Sequence, residues 1–238
     1  GRSMLFDPLY WIVIGAGMAL SLWANSMVKG RFRKYSQIPT RSGMTGAQVA
    51  KAILQENGIF DVTVEPISGS MTDHYDPRSK TLRLSEPVFA SNSMAAFGVA
   101  AHEVGHAIQD AQGYARLKFR SAWVPVANLG SGLSMIVIIL AVILGGTATA
   151  MGATAAWVGV ALFSTTTIFT LVTLPVEFDA SRRALASLSG RYVSDDELSG
   201  AKKVLDAAAM TYVAAFATSL MTLLYWAMQL GLLGGRDD

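Results

Sequence analysis

The chain has 238 residues and a formal net charge of +2; 52% of its residues are hydrophobic and 15% are charged. Soluble proteins carry about 25% charged residues on average, so the composition excludes a disordered chain, a coiled coil and an ordinary soluble enzyme. The small net charge argues against a nucleic-acid-binding protein. The absence of cysteine excludes disulfides, cysteine-ligated zinc, iron–sulfur clusters and thiol nucleophiles. Histidine chemistry must use His74, His102 or His106, since the sequence has no others.

The N-terminal part predicts a membrane-spanning helix. Residues 1–3, ahead of Met4, are typical of a cloning remnant, and we exclude them from the fold. Residues 8–28 form a run of 21 uncharged residues, and about 20 apolar residues suffice to cross a bilayer. We expect no cleaved signal peptide, because there is no basic start beyond Arg2 and no small-residue cleavage site before a secreted domain.

The region from 29 to 124 predicts an α+β domain. A capping box at Thr45 starts a helix, and residues 61–66 and 80–84 alternate as two strands that we expect to pair. Residues 69–77 are rich in turn formers. The apolar run 94–112 predicts a long buried helix. If the second strand lies at a sheet edge, a substrate peptide could add to it by main-chain pairing.

The buried helix carries the motif His102-Glu103-Val104-Gly105-His106. Histidines at i and i+4 lie on one helix face, where their ring nitrogens can bind one zinc ion. Glu103 is placed to act on a zinc-bound water as general base. The alternative is a pair of histidines that only pack in a core. Two histidines and a glutamate are costly to bury without a shared purpose, so the motif favours zinc hydrolysis.

The next uncharged stretch covers residues 121–176, 56 in all. A single helix of that length would extend about 84 Å, so the chain must fold back within it. The small residues from 145 to 156 predict the turn. Two membrane-spanning helices follow from this, over 125–146 and 153–175.

A third zinc ligand is expected just past the third span. Two spans return the chain to the side that it left, and Glu177 is then on the side of the histidines. Asp179 is the competing candidate. It would face elsewhere on a helix, and its alternative role is an ion pair with Arg183. No later histidine exists to serve as the ligand.

The C-terminal part predicts the fourth span, over 210–233. A capping box at Ser194 starts a helix that could continue into it. The charge-free runs are longer than the 10–14 residues typical of buried soluble helices, so a soluble helical protein is the weaker alternative. Three basic segments flank the spans on the same side, whereas the predicted hairpin has no charge and Arg236 at the C-terminus is accompanied by Asp237 and Asp238. The positive-inside rule assigns the side of the basic segments to the cytoplasm. We therefore expect residues 29–124 to form a cytoplasmic domain, residues 176–208 a cytoplasmic segment, and both termini to face outward.

Several motifs resemble those of one family: Thr72-Asp-His-Tyr-Asp-Pro77, Leu82-Arg-Leu-Ser85 and the run 100–109 around the histidine pair. They are similar to the bacterial membrane neutral zinc metallopeptidases of the YugP type, and the resemblance covers the chain from Met4. A more distant one is to the HtpX and CAAX prenyl protease class, in which a Glu ligand follows in a Glu-x-x-x-Asp pattern. Glu177 fits that position, but Ser181 stands where that class has Asp.

Two residues are candidate donors to the oxyanion of the tetrahedral intermediate. His74 lies in the turn-rich segment, and its alternative role is to stabilise a turn. Tyr212 lies at the cytoplasmic end of the fourth span, and its alternative role is to anchor the helix at the membrane interface.

These features predict a mainly α membrane protein, with four transmembrane helices and a cytoplasmic α+β zincin-like metalloprotease domain. We expect an endopeptidase of the bacterial cytoplasmic membrane with one zinc ion per chain. Its partners would be the lipid bilayer and a peptide or membrane-protein substrate, with no nucleic acid. The alternatives are a non-catalytic scaffold with a structural zinc and a zinc amidase or esterase acting on lipids.

Overall fold

The computed structural model describes residues 7–230. These residues divide into two compact units. The first, here called the sheet unit, consists of Ala24–Lys118 and Leu174–Thr211. The second, the helix unit, consists of the other described residues. The predicted remnant 1–3 and the predicted end of the last span at 233 lie outside the described residues.

The described chain is mainly helical, with one small sheet. The helices are α1 (Pro8–Ser36), α2 (Gly46–Glu56), α3 (Glu86–Phe89), α4 (Met94–Ala111), α5 (Ala115–Ile143), α6 (Ala150–Leu188) and α7 (Asp195–Gln229). The strands are β1 (Thr63–Ile67), β2 (His74–Asp76) and β3 (Thr81–Ser85). A 3-10 turn (Gly146–Ala148) lies between α5 and α6.

Four helices within residues 7–230 are long and apolar enough to cross a membrane: α1, α5, α6 and α7, with 29, 29, 39 and 35 residues. The prediction of four such helices is confirmed. α1 and α6 extend beyond their predicted spans, and α5 and α7 begin well before theirs, although α5 ends at Ile143 rather than at residue 146. Each of the four helices contributes residues to both units. The helix predicted to start after Ser194 does run unbroken into the last apolar stretch, as α7.

The turn between α5 and α6 is shorter than predicted. It occupies residues 144–149, whereas residues 150–156 already belong to α6. Gly145 has φ +98, which allows the chain to reverse at no steric cost. The Thr149 hydroxyl accepts a hydrogen bond from the Gly152 N–H at 3.0 Å and so caps the start of α6. The small residues after it include alanines, which are strong helix formers.

The sheet has the order β1-β3-β2, with β1 parallel and β2 antiparallel to β3. The expected pairing of the two predicted strands is confirmed. The suggestion that the second of them forms an edge is wrong, because β3 is central. His74 does not lie in a turn: it is the first residue of β2 and pairs with Arg83. A three-residue strand among turn formers is too short to give a periodic signal.

Helix α4 forms the core of the sheet unit. Leu82 and Leu84 of β3 are fully buried, as are Phe97 and Val104 of α4, and all four belong to one apolar cluster. The cluster also includes Leu188 of α6. Apolar side chains therefore cover α4, and the buried polar residues of this helix lie in largely apolar surroundings.

Candidate metal centre

The local sequence of α4 explains why its histidines are buried. Ser93 is the N-cap, and its hydroxyl accepts a hydrogen bond from the Ala96 N–H at 3.1 Å. The helix that follows is apolar up to His102. His102 is only 8% exposed and His106 only 6% exposed, so neither imidazole is simply a solvated surface group.

Helix α6 supplies a carboxylate to both histidines. The Oε2 atom of Glu177 lies 2.8 Å from Nε2 of His102 and 3.2 Å from Nε2 of His106. Glu177 is 5% exposed. His102, His106 and Glu177 each offer one ligand atom, a ring nitrogen or a carboxylate oxygen, and these three atoms lie within 4.8 Å of one another. A His₂Glu set is the donor set of catalytic zinc sites that keep a position open for water or substrate.

Gly105, within the histidine motif, allows α4 and α6 to approach closely. A Cβ atom at this position would lie 2.5 Å from the backbone carbonyl oxygen of Ala180, which is closer than real side chains come. The absence of a side chain therefore lets α6 pack on the face of α4 that carries His102 and His106. Glu177 reaches the histidines because of this approach.

The Nδ1 atom of each histidine also has a hydrogen-bond partner. Nδ1 of His102 lies 2.9 Å from the Ser181 hydroxyl, and Nδ1 of His106 lies 2.9 Å from Oε1 of Gln109. The amide nitrogen of Gln109 donates to the Val176 carbonyl at 2.9 Å. These partners hold the plane of each ring, which is a common feature of metal-binding histidines.

The hydrogen bonds of Gln109 fix the tautomer of His106. Its amide nitrogen donates to two acceptors, the Val176 carbonyl and the Asp179 carboxylate, so its Oε1 must face His106 as an acceptor. Nδ1 of a neutral His106 then carries the proton, and Nε2 presents a lone pair toward Glu177. A lone pair and a carboxylate at 3.2 Å require a cation or a proton between them. The donor set therefore fits a metal ion.

Asp179 is directed to other partners. Its Oδ2 accepts hydrogen bonds from Gln109 at 2.8 Å and from Nε of Arg183 at 2.7 Å. Its Oδ1 lies 3.5 Å from the guanidinium of Arg182. Among the described residues the metal-competent group consists of the two histidines and Glu177. Asp179 instead stabilises the amide of Gln109.

Residues 10–231 match a protein-family model described as "Putative neutral zinc metallopeptidase". The chain belongs to this neutral zinc metallopeptidase family. It is 45% identical over 224 residues to the "Putative membrane protease YugP" of Bacillus subtilis (strain 168), covering 94% of this chain and 96% of that protein. No solved structure matches the chain.

His74, one of the two predicted oxyanion donors, is not a member of the metal-competent group among the described residues. Nδ1 of His74 donates to the Thr72 carbonyl at 2.9 Å, and its Nε2 accepts from Arg83 at 3.2 Å. Alternation along the strands puts His74 on the sheet face opposite to Leu82, whose side chain packs in the apolar cluster with α4. Tyr212 is partly buried in α7 and belongs to the helix unit.

Glu103 follows the first histidine and is partly buried. Gln109 was not singled out by sequence reasoning, although its spacing offers a signal in retrospect. It is three residues after His106, which is the distance at which two helical side chains meet. A fully buried glutamine next to a metallopeptidase motif therefore indicates a partner for the second histidine.

Proposed function

We propose that this chain is a membrane-embedded, zinc-dependent endopeptidase in which His102, His106 and Glu177 hold one zinc ion. The observation that carries the proposal is the placement of three buried ligand side chains from α4 and α6 within 4.8 Å of one another. The family and the relative support a membrane protease that uses zinc. The His₂Glu donor set is typical of catalytic rather than structural zinc, because it leaves a position open.

When bound, zinc would supply Lewis-acid chemistry, lowering the pKa of a water and polarising the substrate carbonyl. In the proposed mechanism the carboxylate of Glu103 accepts the proton of the attacking water. It then returns that proton to the amide nitrogen as the peptide bond breaks. Ser181 and Gln109 keep the two imidazoles oriented through both steps, because each lies 2.9 Å from an Nδ1 atom.

For the oxyanion we favour Tyr212 over His74. Both ring nitrogens of His74 are engaged, by the Thr72 carbonyl and by Arg83, so donating to a substrate would break the first of these bonds. A phenol hydroxyl is a suitable donor to a developing oxyanion. We assign to His74 the role of joining β2 and β3. A Tyr212→Phe change is expected to lower kcat while zinc content stays the same.

We further propose that residues 29–124 and 176–208 form a zincin-like domain on the cytoplasmic face, with both termini outward. The distribution of Lys and Arg around the four spans supports this orientation. Reporter fusions distinguish the two orientations: a periplasmic-active reporter should be active in the turn at 144–149 and at the C-terminus. Activity only after residue 118 would reverse the assignment.

The experiment that tests the function compares the purified protein with its Glu103→Gln variant in detergent. We expect one zinc per chain in both and casein hydrolysis only in the unmodified protein, with loss of hydrolysis on chelation. Glu86→Gln serves as the control, since Glu86 is an exposed glutamate of α3. Zinc in both proteins with hydrolysis in neither would favour the scaffold, and cleavage of acyl substrates alone would favour a lipid amidase or esterase.

A further inference from the structure

An open cavity of about 450 Å³ lies beside the last turns of α1, within the sheet unit. Lys29, Phe32, Arg33, Ser36 and Gln37 line one side of it. The first four belong to α1 and share one helix face, since they are three or four residues apart, and Gln37 directly follows the helix. Neither the metal-competent group nor the proposed catalytic residues are part of this lining.

Two of the residues that line the cavity are cations, and neither has a counter-ion in the described part of the chain. Lys29 and Arg33 are both exposed, and no ion pair joins either of them to another residue within 7–230. By contrast, Arg31 on the same helix donates a hydrogen bond to the Lys203 carbonyl at 2.9 Å. Two like charges one helical turn apart repel each other, and an anion between them would remove that repulsion.

Ser36 adds an independent observation. Its hydroxyl oxygen is buried and has no hydrogen-bond partner among the described residues. Buried hydroxyls almost always have a partner, and leaving one unsatisfied is unfavourable. Ser36 is part of the lining, so a rotation of its side chain about χ1 would turn this hydroxyl toward a ligand oxygen in the cavity.

The position of the cavity along α1 favours a lipid. Residues 8–28 are uncharged, and Lys29 is the first charged residue after them. Lys29 and Arg33 are about 6 Å apart along the helix axis, at 1.5 Å per residue. The headgroup layer on each side of the hydrocarbon is about 5–8 Å thick, so both cations would lie within it.

Apolar side chains also line the cavity. Met71 and Pro87 contribute to the lining together with Ser70, and Phe32 adds an aromatic ring from α1. Met71 has φ +58 and is 43% exposed. A residue other than glycine held in this left-handed conformation is strained, and such strain concentrates at ligand-binding positions. The lining is thus amphipathic, since it combines two cations with apolar side chains.

We propose that this cavity binds the phosphate headgroup of an anionic phospholipid such as phosphatidylglycerol. Lys29 and Arg33 contact the phosphate, and Ser36 donates to one of its oxygens or to a glycerol oxygen. Phe32 and Met71 cover the glycerol backbone and the first methylenes. The site is separate from the proposed zinc centre, so lipid binding does not depend on proteolysis.

The test is native mass spectrometry of the full chain purified in detergent and mixed with equal amounts of phosphatidylglycerol and phosphatidylcholine. We expect the unmodified protein to retain phosphatidylglycerol preferentially. Basic residues near a membrane surface each contribute about 1 kcal/mol toward anionic lipid, so Lys29→Gln/Arg33→Gln should lower that preference about tenfold or more. Lys34→Gln/Lys51→Gln removes the same charge from exposed positions outside the cavity and should change it less than twofold.

An equal loss in both double variants would show attraction to general basic charge and overturn the proposal. Ser36→Ala provides a second readout, in which we expect several-fold less retained phosphatidylglycerol at the same lipid concentration. Unchanged retention in Ser36→Ala would contradict the assigned role of its hydroxyl. Inorganic phosphate is the competitor: displacement of the lipid by millimolar phosphate alone would identify a soluble phosphate site instead.

Discussion

The Ser181 hydroxyl lies 2.9 Å from Nδ1 of His102, one helical turn after Glu177 on α6. In the more distant class that the sequence resembles, an aspartate stands at this position. Serine supplies a neutral partner, so the imidazole of His102 gains less basicity here than from a carboxylate.

We therefore expect Ser181→Ala to weaken zinc binding about tenfold, and Ser181→Asp to bind zinc at least as tightly as the unmodified protein. Zinc affinity is measured by competition with a chromogenic chelator. Ser187→Ala is the matched control, a partly buried serine of α6 that is outside the metal-competent group. Equal affinities for all of these proteins would mean that Ser181 does not tune the site.

Gln109 should be needed for both zinc affinity and stability. Gln109→Leu removes the acceptor of His106 and leaves the Val176 carbonyl and Asp179 without that donor. We expect a 10- to 100-fold loss of zinc affinity and a fall of about 1–3 kcal/mol in the free energy of unfolding. Gln112→Leu, at an exposed glutamine bound to Arg183, should leave zinc affinity intact. A variant Gln109→Leu with normal affinity would refute the positioning role.

Gly105→Ala tests whether the approach of α6 to α4 builds the site. The new Cβ would lie 2.5 Å from a backbone oxygen of Ala180, and relieving such overpacking costs about 1–3 kcal/mol. We expect lower zinc content and a lower Tm. Gly98→Ala is the comparison on the same helix, since its Cβ would lie 3.2 Å from the Ala201 carbonyl. It should keep zinc; normal zinc content in Gly105→Ala would separate the helix contact from the metal site.

Tyr75 ties β2 to the end of α4, because its hydroxyl donates to Asp110 at 2.6 Å. Burial and the neighbouring Asp110 carboxylate raise the pKa of Tyr75, so it remains a donor throughout the neutral range. Tyr75→Phe should lower the free energy of unfolding by about 1–2 kcal/mol without changing zinc affinity. Tyr114→Phe, which keeps the ring under Arg183, is expected to have little effect on thermal unfolding.

Asp73 should make stability depend on pH. Burial raises its pKa above the ordinary value of 3.8, although the Ser85 N–H and hydroxyl both donate to it. The folded state thus holds the proton more tightly than the unfolded state. The stability contributed by this group is complete below pH 3.8 and is lost as pH rises through the folded pKa.

Asp73→Asn removes the charged form and keeps an oxygen acceptor. We expect a higher Tm than that of the unmodified protein at pH 7, measured without metal, and no difference near pH 3.5. Asp61→Asn has the opposite expectation, because the Lys80 ammonium lowers the pKa of that exposed carboxyl. Parallel pH profiles for the unmodified protein and Asp73→Asn would count against a buried charge at Asp73.

The sequence was informative wherever a pattern was long or chemically distinctive. The uncharged runs predicted the four long apolar helices, and the i, i+4 histidines with Glu177 predicted the group that the fold brings together. It was uninformative where a feature is short or depends on distant contacts. β2 has three residues, and the central position of β3 depends on its pairing with that strand. Gln109 acquires its role only from the approach of α6.

Helix α6 continues without a break through Pro175. An insertion is therefore tolerated less well within this helix than in the turn that precedes it. Glu177 and Ser181 follow the apolar part of α6 with no break. An insertion of one residue between them would rotate one relative to the other by about 100° and separate the carboxylate from the hydroxyl. The segment 144–149 is the turn between α5 and α6, where added residues would not rotate Glu177 relative to Ser181. Homologous chains should therefore vary in length at that turn and keep constant length from Pro175 to Ser181.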